Sequence, residues 1–160
     1  MDLERANGVR LRPTQIIVSA LCMGVVVFGV VVASLLWPWQ QVGWFVTSQD
    51  VFEWTAKGLL FVGIVVGTVV WGITRKKARA LAAGLTEDQA RDTLLPLFQA
   101  GTIMRAAMVE GPGLFCIVVA LLCHNVWMLA WAGVSVAGLI AIFPTWATYE
   151  RFLQDAVRRE

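Results

Sequence analysis

Four stretches of the chain consist almost entirely of apolar residues, and polar or charged residues separate them. They predict membrane-spanning helices over residues 14–37, 57–74, 105–123 and 126–143. At about 1.5 Å of rise per residue, a helix of about 20 residues crosses a hydrocarbon core of about 30 Å. A helix also satisfies its own backbone hydrogen bonds in lipid. The pattern therefore predicts an all-α, polytopic membrane four-helix bundle, with residues 1–160 as a single membrane domain.

The composition supports the same interpretation. Of the 160 residues, 58% are hydrophobic and 15% are charged, whereas about a quarter of a soluble domain is charged. Too few polar residues remain to cover four apolar helices in water, so the lipid bilayer is the predicted partner. The first stretch is longer than the apolar region of a cleaved signal peptide, about 7–15 residues, and we expect it to remain as an anchor.

The basic residues predict the orientation of the helices. They precede the first stretch, lie between the second and third, and follow the fourth, while the other connections contain only Lys57 beside two acidic residues. Under the positive-inside rule, both termini and the long connection are cytoplasmic. We therefore expect a multi-pass protein of the plasma (cell inner) membrane with an even number of spans. The eight tryptophans fall near the predicted interfaces, where an amphipathic ring is favoured.

The cytoplasmic link, residues 75–104, carries its own structural signals. Gly84 is a predicted C-terminal cap for an extended second helix. Thr86-Glu87-Asp88-Gln89 matches a capping box and predicts an amphipathic helix over 86–98, which Pro96 should kink or divide. The basic residues of the link either attract anionic lipid headgroups or only set the orientation, and the sequence favours the second. No nucleic-acid partner is predicted, because no recognised binding fold or exposed aromatic-basic surface is present.

The first and third stretches resemble each other at an offset of 87 residues, most clearly in Ala20-x3-Gly24 and Ala107-x3-Gly111. This repeat suggests two related helical hairpins in parallel orientation. Small residues allow helices to approach closely in lipid, and the predicted helix-packing positions are Gly24, Gly63, Gly67, Gly111, Gly133 and Ala137. They either hold the four helices together or join the chain to another copy or another membrane protein.

Glu110 is the acidic residue that interrupts the third stretch. Because Pro112 has no N–H, the carbonyl of Met108 loses its helical partner, and we expect a carboxyl group and a free carbonyl together at a bend. Hydroxyl groups expected at a similar depth belong to Ser19, Thr68 and Ser135. Glu110 is then either a polar contact that fixes helix register or a group that binds a proton or a cation.

Other chemistry has little support in the sequence. Cys22, Cys116 and Cys123 lie inside apolar stretches, and His124 is the one histidine. A metal site needs three or four converging ligands, so no metal and no cofactor are predicted. No nucleophile–base pair or phosphate-binding loop is found, so no enzyme is predicted. We expect a structural, accessory or assembly component, with a proton- or cation-binding membrane subunit that uses Glu110 as the alternative.

Two resemblances add to these expectations. Residues 101–122, with Glu110 followed by Phe115 and a Val-Val-Ala-Leu segment, resemble the ion-binding helix of the rotor-ring c subunit of ATP synthases. That resemblance implies that Glu110 binds a proton or a sodium ion. Over its whole length the chain resembles small, uncharacterised four-helix inner-membrane proteins of bacteria. The segments that carry this resemblance are Arg12–Ile17, Glu110–Phe115 and Phe143–Thr145, and it implies the architecture without an activity.

Overall fold

The fold was analysed in a computed structural model that describes residues 2–36 and 49–157. Within these residues the chain forms five helices and no strand, which confirms the predicted all-α class. The helices are α1 (Asp2–Leu36), α2 (Gln49–Ala82), α3 (Glu87–Cys123), α4 (Trp127–Ile142) and α5 (Trp146–Val157).

Three of the helices are long and apolar enough to cross a membrane, namely α1, α2 and α3. The helix α4 is as apolar as these three helices but has only 16 residues, which span about 24 Å at the usual helical rise. It meets α5 at a bend of 65°, and the two together form a fourth candidate span. These lengths and compositions are those of a membrane protein.

The helix boundaries differ from the sequence expectation in three helices. The helix α1 begins at Asp2, twelve residues before the predicted first span. The helix α2 begins at Gln49, so its predicted span is the middle of a longer helix. The predicted link helix and third span form one continuous helix, α3, which contains both Pro96 and Pro112. Proline removes one backbone hydrogen bond, but Leu94 and Phe98 are fully buried on either side of Pro96 and hold both halves of the helix in place. The expected division at Pro96 therefore does not occur.

The turn between α2 and α3 agrees with the sequence signals. Gly84 has a φ of +92°, a left-handed conformation that glycine adopts without steric cost. The backbone N–H of Leu85 donates to the carbonyl of Ala82 at 3.1 Å. The backbone N–H of Thr86 donates to Oε1 of Gln89 at 3.2 Å, as in a capping box. These bonds satisfy backbone groups that the two helix ends would otherwise leave free.

The helix α3 lies at the centre of the fold and contacts each of the other four helices. It runs parallel to α1 and antiparallel to α2 and α4. On one side of α3, α4 lies between α1 and α2. On the other side, α1 and α2 do not pack against each other within the described residues, which leaves a face of α3 uncovered.

The contacts between α1 and α3 reproduce the offset of the internal repeat. A Cβ placed at Gly24 would meet Glu110, and one placed at Gly29 would meet Ile117, so the packed positions differ by 86 and 88 residues. These values bracket the repeat offset of 87. The matched residues of the first and third stretches therefore lie at nearly the same depth in two parallel helices.

A second apolar core lies beyond one end of the spans, where α5 covers α2 and α3. The helix α5 buries Tyr149, Phe152, Leu153 and Ala156, which share one helix face. The ring of Phe98 has its centroid 5.2 Å from that of Tyr149 and 5.4 Å from that of Phe152. We call this the basic end of the protein, because it carries Arg75, Lys76, Lys77, Arg79 and Arg91.

Polar contacts hold α5 and the α4–α5 connection at the basic end. Nη1 of Arg75 lies 3.7 Å from Oδ2 of Asp155, and Nε of Arg79 donates to the backbone carbonyl of Asp155 at 3.3 Å. The hydroxyl of Tyr149 donates to the backbone carbonyl of Arg91. These contacts join residues far apart in the sequence, so the basic end is a packed unit.

Candidate functional site around Glu110

The depth of Glu110 follows from two contacts between α2 and α3. A Cβ placed at Gly101 would contact Thr74 near the basic end, and Nδ2 of Asn125 donates to Oε1 of Glu53 at the opposite end. Glu110 lies between these two contacts, nine residues or about 13.5 Å along α3 from Gly101. Its carboxyl group therefore lies within the apolar part of α3, on the side nearer the basic end.

Small residues of the neighbouring helices stand at the same level. The carboxyl Oε1 of Glu110 lies 3.9 Å from a Cβ placed at Gly24 of α1. Across α3, the buried hydroxyl of Ser135 in α4 donates to the carbonyl of Val109 at 2.7 Å. A Cβ placed at Gly113 would lie 2.6 Å from the Ser135 side chain. The glycines let α1 and α4 come close to α3 on either side of Glu110.

Gly63 of α2 faces the backbone carbonyl that the proline leaves free. A Cβ added at Gly63 would collide with the carbonyl oxygen of Met108 and would lie 3.0 Å from Cγ of Pro112. A Cα hydrogen of Gly63 occupies this position instead, which is the arrangement of a weak Cα–H···O=C contact. Gly67 packs one turn away, because a Cβ there would lie 3.3 Å from Cγ of Arg105.

The carboxyl group and the free carbonyl do not come together as the sequence analysis expects. The Met108 carbonyl meets α2, and the Glu110 carboxyl meets α1, which lies elsewhere around α3. The physical reason is helix geometry, since residues 108 and 110 are two positions apart and therefore lie about 200° apart around the axis. A cation site built from these two groups is therefore not formed within the described residues.

The predicted hydroxyl partners of Glu110 are engaged elsewhere or lie apart from it. Oγ1 of Thr68 donates to the carbonyl of Ile64 in its own helix at 2.8 Å. Ser19 is exposed and lines a groove between α1 and α4. Within the part of the chain that the structure describes, the carboxyl of Glu110 has no hydrogen bond and no ion pair. A polar contact with another of the described residues therefore does not account for Glu110.

The predicted packing residues divide into two groups. Gly24, Gly63 and Gly67 lie against α3, as just described. Cβ atoms placed at Gly111 and Gly133 would have no neighbour within 4 Å, and Ala137 is exposed in a groove between α2 and α4. Three further glycines lie at close helix contacts that the sequence did not predict, which are Gly101, Gly113 and Gly138. Gly113 and Gly138 lie near other small residues in apolar stretches, whereas Gly101 lies in the link 75–104 and carries no such signal.

A polar-aromatic cluster at the end opposite the basic end ties α2 to the α3–α4 turn. Oε2 of Glu53 lies 3.5 Å from Nζ of Lys57, while its Oε1 accepts a hydrogen bond from Asn125. Nζ of Lys57 lies 5.3 Å from the ring centroid of Trp54 and 6.0 Å from that of Trp131. These residues neutralise and cover one another, so we assign the cluster a structural role.

Comparison of the chain with protein-family models, curated proteins and solved structures finds no match. Among the described residues, no three His, Cys, Asp or Glu side chains converge as a metal site would require. The unpaired carboxyl of Glu110 is therefore the strongest candidate for a functional group.

Proposed function

We propose that the chain is a four-span protein of the bacterial inner membrane with both termini in the cytoplasm. The alternating directions of α1 to α4 support this arrangement. So does the gathering of basic side chains at one end, which the positive-inside rule assigns to the cytoplasm. In this proposal α4 is the fourth span, and α5 lies at the cytoplasmic surface over the ends of α2 and α3.

We further propose that the protein is an accessory or assembly component that associates with a second copy of itself through the uncovered face of α3. The observation that carries this proposal is the unpaired carboxyl of Glu110 beside Gly24. A carboxyl group inside the apolar part of a bilayer is costly unless it is neutral and hydrogen-bonded. Since the described residues of the chain supply no partner, a group from a second chain satisfies it.

The surface around Glu110 has the character of a helix-docking face. We define the open face as Gly24 of α1 with Ala107 and Gly111 of α3, all three of which are exposed. Ala107 and Gly111 form the α3 copy of the repeated A-x3-G frame, and Gly24 lies beside the carboxyl of Glu110. Small residues four apart allow two helices to approach closely in lipid, where packing and hydrogen bonds drive association.

Disulfide cross-linking in membranes tests this proposal. The three native cysteines are first replaced by alanine, and single cysteines are then introduced as Ala107→Cys on the open face or Ala130→Cys on the exposed side of α4. In a symmetric pair the same position of the two copies meets near the two-fold axis. We expect a disulfide-linked dimer of the Ala107→Cys variant and no such dimer of the Ala130→Cys variant. A monomer for Ala107→Cys, or equal cross-linking of both variants, would contradict the proposal, and a product of another mass would indicate a different membrane protein.

Reversible proton binding by Glu110 is the second candidate function. Its support is the half-buried, unpaired carboxyl together with the local resemblance to the ATP synthase rotor helix. A hydrophobic carbodiimide should modify Glu110 when the carboxyl is neutral, and Glu110→Gln should abolish the labelling. Absence of labelling at every pH, with normal assembly of the Gln variant, would exclude this function and leave the association proposal intact.

A further inference from the structure

A groove of about 370 Å³ lies between α2 and α4, with α3 as its floor. It is lined by small residues, Gly67 on α2 and Ala137, Gly138 and Ala141 on α4, and by larger apolar residues, Ile64, Val109, Val134 and Ile142. The small residues leave space between α2 and α4, and exposed lining residues such as Ile64 and Ala137 open it to the lipid side. An apolar chain therefore fits this lining.

Arg105 brings a positive charge into this otherwise apolar groove. Its side chain is half-buried, and its Cγ lies against Gly67. The Cζ atom lies 5.8 Å from the ring centroid of Trp71, at the end of the groove nearest the basic end. No carboxylate pairs with Arg105 among the described residues. A half-buried guanidinium with no counter-charge among the described residues favours an anion from outside the protein.

Arg75 places a second positive charge beside the same ring. Its Cζ lies 5.6 Å from the Trp71 centroid, and its ion pair with Asp155 is long at 3.7 Å and half exposed. Arginine binds phosphate oxygens with two parallel N–H donors, and an aromatic face holds the guanidinium plane in position. Two arginines at the membrane interface and an apolar groove leading inward from them match a charged headgroup with an attached acyl chain.

We propose that this groove binds one anionic phospholipid, with its phosphate at Arg105 and Arg75 and an acyl chain between α2 and α4. Basic pockets between helices on the cytoplasmic side are the usual sites for such lipids. The exposed Lys76 and Lys77 do not line this groove, so the proposed site depends on Arg105. The binding does not depend on association through Glu110, because the open face lies on the other side of α3.

Titration of the intact purified protein in detergent with phosphatidylglycerol or phosphatidylcholine, read by native mass spectrometry, tests this site. The expected result is one tightly held phosphatidylglycerol per chain and weaker retention of phosphatidylcholine. Arg105→Gln should raise the half-saturating phosphatidylglycerol concentration about fivefold, which corresponds to about 1 kcal/mol per basic residue at a membrane surface. Lys77→Gln removes an equal charge from the basic end outside the groove and should leave the titration unchanged.

A pair of α4 variants and a competition experiment test whether the groove holds the acyl chain. They also keep the proposal testable if Arg105→Gln fails to fold. Ala137→Leu fills the groove and should weaken binding, whereas Ala130→Leu, two turns away on the same side of α4, should not. Soluble glycerol phosphate should fail to compete, because it lacks the chain. Wild-type retention of phosphatidylglycerol by Arg105→Gln or by Ala137→Leu would overturn the proposal. Equal losses in Lys77→Gln, or competition by glycerol phosphate, would also overturn it.

Discussion

Gly63 of α2 lies directly against the carbonyl oxygen of Met108 in α3, on the turn where Pro112 supplies no N–H. Two features that look separate in the sequence, a small-residue motif and a helix-breaking proline, thus meet at one contact. The proline frees a carbonyl, and the glycine brings a Cα hydrogen close to it. This contact fixes the relative height of the two helices that pack most extensively against each other.

Gly63→Ala should therefore destabilise the protein. The added Cβ would collide with backbone, which cannot rotate away, and overpacking of this kind costs about 1–3 kcal/mol. Gly72→Ala is the matched control on the same helix, because a Cβ there has no neighbour within 4 Å and alanine is the better helix former. Unfolding in mixed micelles with increasing dodecyl sulfate measures the stability of both variants. Equal midpoints for the two variants would contradict the contact.

The contact between Gly113 and Ser135 predicts a rescue by a second substitution. Gly113→Ala places a Cβ 2.6 Å from the Ser135 side chain and should lower the free energy of unfolding. Ser135→Gly alone should also destabilise, since it removes the hydrogen bond to Val109. Together the two changes should cost less than the sum of their separate effects, because residues in contact are not additive. Strict additivity in the double-mutant cycle would show that the two positions do not touch.

The aromatic core at the basic end predicts a large effect of one substitution in α5. Phe152 is 1% exposed and packs on Trp71 and Phe98, so Phe152→Ala should cost about 3–5 kcal/mol in that core. Arg151→Ala, at an exposed neighbouring position, should have little effect. Amide hydrogen exchange along α5 and the first turns of α3 reports the change locally. Unchanged protection in Phe152→Ala would mean that α5 is not held by this core.

The proposed topology predicts which exposed positions react with a membrane-impermeant thiol reagent. Asp50 and Lys77 are both exposed on α2, near its opposite ends. In a cysteine-free background, Asp50→Cys should react in intact cells or right-side-out vesicles, and Lys77→Cys should react only after permeabilisation. The reverse pattern would show that the protein has the opposite orientation. Labelling of both variants from outside would show that α2 does not span the membrane.

Much of the fold follows from the apolar periodicity. The all-α class, the turn at Gly84 and the capping residue Gln89 are predictable, because they depend on local chemistry. The continuity of α3 is not, because tertiary burial of Leu94 and Phe98 outweighs the cost of Pro96. The helix α5 is absent from the sequence interpretation because it is too polar for a span. Its buried positions, 149, 152, 153 and 156, nevertheless show helical spacing.

The candidate site is only partly predictable. The sequence singles out Glu110 and three of the glycines that pack on α3, which are Gly24, Gly63 and Gly67, because charge and small-residue spacing are visible along the chain. It does not indicate which helix each group faces, and the expected pairing of Glu110 with the Met108 carbonyl is wrong for that reason. The groove beside Arg105 is formed by residues from three helices, so only the folded structure brings them together.

The proposed association through the open face is tested most directly by the mass of the purified protein in a mild detergent. Gly111 and Gly133 are matched positions, since a Cβ at either has no neighbour within 4 Å and leucine there should not disturb the fold. Light scattering corrected for bound detergent should give at least twice the chain mass of 17.6 kDa for the wild type and for Gly133→Leu. Gly111→Leu, which blocks the open face, should give the mass of a single chain. A single-chain mass for the wild type, or an unchanged oligomer in Gly111→Leu, would contradict the account.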